Sequence, residues 1–258
     1  MKIDKSIVLS RFSKALGTYD EAATVQQLVA SEMLQLIQEV QPTFFPQRIL
    51  ELGCGTGSLT SRLVEQFGSE EITLTLNDIV PDVQQVLAHR IACSFDFLLG
   101  DAEHIGWVDH QDLIISNCSI QWWDNLTYYF RKALQYTDEH AIVAASIFEH
   151  GHFRELDQIL PHSLHYPTLE EIASQLEGLG YSEITYRSGK QILEFQTLLD
   201  LLRHIKATGA NAFTQKASVS WTPTRLQQLE TTMRYDLGIS EEQPLTLTYK
   251  PLIIVAKR

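Results

Sequence analysis

The chain has 258 residues, 44% of them hydrophobic and 20% charged, which is enough for one full core with residues left for an elaboration. Its formal net charge of −12 argues against nucleic acid as the main partner. No apolar run is long enough for a membrane span, and Met1-Lys2-Ile3-Asp4-Lys5 lacks the apolar centre of a signal peptide, so the expectation is a cytoplasmic protein with no membrane partner.

Residues 20–40 place Ala22, Val25, Leu28, Val29, Met33, Leu36 and Ile37 at helical spacing, with Pro42 ending the helix. Residues 1–42 are therefore expected to form a helical amino-terminal segment. Strands are expected at Arg48 to Leu52, Ile72–Leu76, Phe95–Leu99, Leu113–Ser116 and Ala141–Phe148. Helices around Ser58–Phe67, Asp82–Ala92 and Tyr128–Tyr136 alternate with them. Thr168-Leu169-Glu170-Glu171 is a capping box that opens another helix, and a sixth strand follows at Glu183–Arg187. The last strand, Leu252–Ala256, is expected to run antiparallel at the sheet end. Before it, residues 197–240 interrupt the alternation with two amphipathic helices, one capped by Thr197 with Asp200 and closed by Gly209, the other started by Thr222-Pro223 and ended by Gly238. They read as a helical lid over the strand ends. The expected architecture is a single α/β domain, doubly wound around a mainly parallel seven-stranded sheet whose last strand is antiparallel.

The stretch Ile49-Leu50-Glu51-Leu52-Gly53-Cys54-Gly55-Thr56-Gly57 carries the most chemistry. An apolar strand opens into glycines at every second position, where a ligand can approach bare backbone. About twenty residues on, a second strand ends in Asn77-Asp78-Ile79, placing an acid where a ribose diol can be held. The pattern is not that of a dinucleotide site, because Glu51 stands before the first glycine, where it would repel phosphate and suit a cationic or amine-bearing ligand. Cys54 reads as a small filler of the loop. Other polar residues fall at later strand ends, at Asp101-Ala102 and at Asn117. Each has a plainer role available: Asp78 as a helix cap, Asp101 as a turn residue, Gln121 and Trp122 as packing.

The run Glu51-x-Gly53-x-Gly55-x-Gly57 resembles motif I of the class I S-adenosylmethionine-dependent methyltransferases. Arg11-Phe12-Ser13-Lys14-Ala15, Tyr19-Asp20-Glu21-Ala22-Ala23, Leu113–Trp122, Leu201–Asn211 and Leu247-Thr248-Tyr249 together resemble the malonyl-[acyl-carrier protein] O-methyltransferase family of biotin synthesis, along nearly the whole chain. The resemblance implies S-adenosylmethionine as cofactor, bound by Glu51, Gly53, Cys54, Gly55, Asp78, Ile79, Asp101, Ala102, Asn117 and Gln121. Within that set Asp101 would meet the adenine edge, and residues 117–122 would run past the methionyl portion. It also implies methylation of the free carboxylate of a malonyl thioester on acyl carrier protein. A carboxylate is already ionised, so no general base is expected; Tyr19, Gln121, Trp122 and Arg203 are candidates for positioning substrate. The remaining readings are a small-molecule carboxyl methyltransferase of the trans-aconitate type, a quinone C-methyltransferase, and a non-catalytic cofactor-binding assembly protein.

Charge is unevenly spread. Lys2, Lys5, Arg11 and Lys14 face only Asp4 near the amino terminus, and Arg203, Lys206, Lys216, Arg225 and Arg234 outnumber the acids of 197–237. Two basic segments on an acidic body suggest docking of an acidic carrier at Arg11, Lys14, Arg203 and Lys206, with solvated helix faces as the alternative. No metal site is expected. His150, His152, His162 and His165 match no common ligand spacing, and Cys54, Cys93 and Cys118 read as reduced thiols.

Overall fold

The structure, a computed structural model, describes residues 3–68, 70–157, 159, 166–213 and 222–258. Lys2, His162, His165 and Lys216 lie outside them. In chain order the elements are α1 (Lys5–Ala15), α2 (Tyr19–Ala22), α3 (Thr24–Val40), β1 (Arg48–Leu52), α4 (Ser58–Phe67), β2 (Thr73–Asp78), α5 (Val83–Arg90), β3 (Phe95–Leu99), β4 (Gln111–Asn117), α6 (Leu126–Tyr136) and β5 (Thr137–Phe148). They continue with α7 (Leu169–Leu176), β6 (Glu183–Ser188), β7 (Gln191–Phe195), α8 (Leu198–Ala207), α9 (Pro223–Leu237), β8 (Leu245–Tyr249) and β9 (Pro251–Lys257). Short 3₁₀ turns stand at Ile120–Trp122, Arg154–Leu156 and Ala210–Phe213.

Alternate residues of the central strands go to opposite faces of one sheet, and both faces are covered. Ile49, Leu74, Leu113, Ile115, Ile253 and Val255 pack with α3, α4 and α5, while Leu50, Ile114, Val143, Ile254 and Ala256 pack with α6 and α7. That two-sided burial is why these strands read as continuous apolar runs rather than as an alternation. The sheet has seven strands in the order β3-β2-β1-β4-β5-β9-β6. β3 through β5 are parallel, and β9 runs antiparallel to both β5 and β6.

The position of β9 corrects one expectation. It is antiparallel but does not lie at the sheet end; it fills the gap between β5 and β6, leaving β6 at the edge. The residue pattern agrees, because every residue from Pro251 to Ala256 is buried, as an interior strand requires, whereas β6 is only half-buried. A second difference is β7 with β8, which pair as a separate antiparallel ribbon that the sequence reading did not contain. The single helix expected over 20–40 divides at Ala23, where Gln27 Nε2 donates to the Asp20 carbonyl and Asp20 is drawn toward the glycine loop.

Both helices of 197–240 form as expected. Thr197 accepts from the Asp200 N–H, Thr222 accepts from the Arg225 N–H ahead of Pro223, and Gly238 takes the left-handed conformation (φ 65°) that ends α9. Arg234, read from sequence as part of a basic segment, is buried instead. Its guanidinium donates to Glu230 and to the carbonyls of Gln196, Ser240 and Gln243, so it fastens α9 to the chain on either side. Arg234→Met strands these acceptors and the Glu230 carboxylate. It is expected to lower unfolding stability by about 3 kcal/mol in chemical denaturation.

Candidate functional site

β1 and β4 are neighbours, yet the chain leaves them toward opposite edges of the sheet, β2 lying beyond one and β5 beyond the other. Loops that follow such strands diverge and open a crevice at their carboxyl ends. The loop after β1 starts with Gly53 at φ +68°, where an added Cβ would lie 2.0 Å from Ser119 Oγ on the loop after β4. Only glycine fits there, on both backbone and steric grounds.

Hydrogen bonds tie three successive loops into one rim. The Cys54 N–H donates to the Asn77 carbonyl at 2.9 Å, and the Gly100 N–H donates to the Asp78 carbonyl at 2.9 Å. Asn77 Nδ2 donates to the carbonyls of Leu98 and Gly100 at 2.7 and 2.9 Å. Asp78, at the end of β2, is held from two sides: Oδ2 accepts from the Gly55 N–H and Oδ1 from the Val80 N–H, each at 2.9 Å. Burial raises its pKa, against the pull of those N–H groups, and each oxygen keeps a lone pair.

These groups border a cavity of about 820 Å³, part of it open to solvent. Of the residues singled out from sequence, the cavity brings together Tyr19, Gly53, Gly55, Asp78, Ile79, Asp101, Ala102, Asn117 and Trp122. Asn117 is fixed there, donating to the Gln26 carbonyl and accepting from Ser146 Oγ. Tyr19 stays a neutral phenol, because burial first and then the neighbouring Cys118 and Asp78 push its pKa up. Cys118 and Ser119 also border the space, next to Asn117. The roof was not expected from sequence: Lys5, Val8, Phe12 and Leu16 line the cavity from one face of α1, and Phe12 meets Trp122 edge-on at 5.6 Å. Their spacing of three, four and four residues was the available signal.

Other candidates lie off the cavity wall. Glu51 is buried beneath the glycine loop, accepts from Thr60 Oγ1 at 2.7 Å, and meets no cation among the described residues. Burial raises its pKa to about 8, Thr60 opposes, and Asp78 adds to the rise. Cys54 is a buried filler whose thiol is pushed up by the same burial. Gln121 does not line the cavity either, and its Oε1 is buried without a partner among the described residues. Arg203 is exposed and paired with Asp200 at 3.3 Å, so it is not placed to position a group in the cavity. Lys14 and Lys206 are exposed and Arg11 half-buried. α1 packs against α8, with Phe12 directly under Gly209 and Thr18 Oγ1 donating to the Ala207 carbonyl, so basic residues distant in sequence come onto adjoining helices. His152 is buried between the rings of Phe148 and Phe153, and His204 Nε2 lies 2.7 Å from the Tyr249 hydroxyl.

The donor set favours a nucleoside without phosphate. The Gly55 N–H, which a phosphate would want, is already taken by Asp78, and among the described residues the wall carries two carboxylates against a single cation, Lys5. Among the described residues, Asp101, Glu103 and His104 bring ligand atoms within 4.8 Å of one another, but the Lys5 ammonium already lies against both carboxylates.

Glu51 generates a pH prediction. Its folded-state pKa of about 8 exceeds the ordinary 4.5, so the folded chain holds a proton that the unfolded chain has lost between those values. Stability of the ligand-free protein is therefore expected to fall as pH rises through that window. Glu51→Gln, which fixes the neutral state, is expected to remove this decline in denaturant titrations across the same range.

Residues 49–140 match the family model described as a methyltransferase domain. The malonyl-[acyl-carrier protein] O-methyltransferase of Haemophilus influenzae is 32% identical over 255 residues, covering 99% of this chain and 95% of that protein. The protein of the same name from Bacteroides thetaiotaomicron is 31% identical over 265 residues, with 99% of each covered. Among solved structures, the plantazolicin methyltransferase BpumL in complex with SAH aligns over 98% of this chain and 94% of its own, with a TM-score of 0.59 at 14% identity, a likeness of fold. The chain belongs to the malonyl-[acyl-carrier protein] O-methyltransferase family.

Proposed function

We propose that the chain transfers the methyl group of S-adenosylmethionine to the free carboxylate of a malonyl thioester on acyl carrier protein, giving the malonyl methyl ester. The observation that carries the cofactor assignment is the Asp78 carboxylate, oriented by the Gly55 and Val80 N–H groups with lone pairs left for a ribose diol. In this reading Asp101 and Ala102, which line the cavity, meet the base, and Asn117 and the Gly53 turn, which also line it, meet the methionyl portion. Buried Glu51, mostly protonated at neutral pH with its pKa raised to about 8, has no cation of its own among the described residues, and an arriving α-ammonium and sulfonium favour its ionised form. Bound there, S-adenosylmethionine supplies an electrophilic methyl whose departure leaves a neutral thioether.

The protein's own contribution is alignment and exclusion of water. An ionised carboxylate needs no base, and the Tyr19 phenol and the Cys118 thiol, the latter at about 12, both stay protonated. The α1 face with Phe12 and Trp122 closes the space with apolar surface, which strengthens every charge interaction inside. In this reading α1 is the lid and α8 braces it from outside, since no described residue of the 197–240 segment expected to cover the strand ends lines the cavity; Arg203, Lys206, Lys14 and Arg11 on the adjoining helices α1 and α8 receive the acidic carrier. The three cysteines are free thiols, in keeping with a reaction set in the reducing cytoplasm.

The direct test is transfer of tritiated methyl from S-adenosylmethionine to malonyl carrier, read as base-labile ester. Transfer to trans-aconitate in preference to the malonyl carrier would overturn the assignment in favour of a small-molecule enzyme. Asp78→Ala is expected to weaken S-adenosylmethionine binding by about 1.5–3 kcal/mol in titration calorimetry. Charge reversal at both Arg203 and Lys206 is expected to raise KM for malonyl carrier and flatten its dependence on salt, measured against a carrier-free malonyl thioester as control.

A further inference from the structure

The roof of the cavity is fastened at one end by a single side chain. Lys5 Nζ donates to the Trp122 carbonyl at 2.7 Å and lies 3.1 Å from Glu103 Oε2 and 3.6 Å from Asp101 Oδ1. The Ile3 N–H donates to Asp124 Oδ1 at 2.9 Å, and the Asp124 N–H reaches both oxygens of Glu103 at 3.2 Å. Glu103 is buried, so the ammonium neutralises a carboxylate that water does not reach. Asp101 is shared, since it lines the cavity and also faces Lys5. α1 therefore cannot lift from the cavity without Lys5 leaving two carboxylates and a carbonyl.

We propose that Lys5 is a cofactor-site residue: its ammonium latches α1 over the base end of the cavity and balances the Asp101 carboxylate that receives the exocyclic amine of the purine. The inference rests on the S-adenosylmethionine reading above. The latch slows exchange of the nucleoside, because release requires breaking charge-assisted contacts made in a partly dry site. The balance of charge sets base preference. Adenine presents a donor to Asp101, whereas hypoxanthine presents a carbonyl oxygen, which the carboxylate repels and the ammonium attracts.

Lys5→Met keeps most of the stem over the cavity and removes the charge, and Lys5→Arg keeps the charge. Release of S-adenosylhomocysteine and S-inosylhomocysteine can be followed through the fluorescence of Trp122 and Trp123, both in the cavity wall. Lys5→Met is expected to release S-adenosylhomocysteine roughly tenfold faster and to prefer it over the inosyl analogue by roughly tenfold more than the unaltered protein does. Lys5→Arg is expected to recover most of both effects. Glu103→Gln, which leaves Lys5 in place and removes its buried partner, is expected to speed release as well. Wild-type release in both Lys5→Met and Glu103→Gln overturns the latch. Faster release with unchanged base preference overturns the sharing of Asp101 and leaves Lys5 a structural strap. An unaltered protein that binds neither nucleoside overturns the cofactor reading instead.

Discussion

The carboxylate of Asp78 is held by backbone N–H groups from two loops, and the rest of the site is arranged around that constraint. Gly55 can donate to it only because the glycine loop turns back toward the end of β2, which the positive φ at Gly53 and the Cys54–Asn77 bond make possible. Asn77 then carries the same fixation across to the loop after β3, where Asp101 stands. A ligand that binds both acids meets positions set by main-chain bonds rather than by free side chains, so little ordering is left to occur on binding. The same bond consumes an N–H that a phosphate would want, so the contact that orients Asp78 for the proposed nucleoside also disfavours a dinucleotide.

The crevice is a product of the sheet, but its closure is a product of the helices that lie before and after it in sequence. α1 covers the space, α2 is tied to the glycine loop through Asp20, Thr56 and Arg90, and α8 braces both from outside. Segments that begin the chain and segments inserted late in it therefore share one surface, where exposed Lys14 and Lys206 stand on adjoining helices. A partner docking on that surface touches the elements that close the cavity. The proposed docking of a carrier on this surface would therefore be mechanically linked to exclusion of water.

The parts of this molecule that were legible in sequence are those written locally. The caps of α7, α8 and α9 depend on neighbours a few residues away and formed as the pattern implied, and the glycine loop and the acids at the ends of β2 and β3 were marked by their own residue types even though distant partners hold them. What was not legible depends on partners distant in the chain. Leu252 to Ala256 reads as a buried strand wherever it is inserted, so its place between β5 and β6 could not be derived from its own residues. Arg234 looks like any surface cation until Gln196, Ser240 and Gln243 present their carbonyls to it. Glu51 has the right spacing for a ligand contact, but its side chain turns beneath the loop to Thr60, a choice made by the packing of α4. Lys5 was visible as charge and not as part of a wall, because a helix face becomes a wall only when something opposes it.

The insertion of β9 between β5 and β6 bears on how the chain comes to be assembled. β6 has no neighbour in the large sheet other than β9, and β9 is synthesised only after α8, α9 and β8. Until then β6 and its approach helix α7 have no hydrogen-bonded anchor in the sheet, while β1 through β5 already have theirs. The half that holds the glycine loop can therefore pair its strands first, and completion is a high-contact-order event at the opposite edge. A ribosome-bound intermediate of this protein would possess its nucleoside crevice before it possessed its far rim.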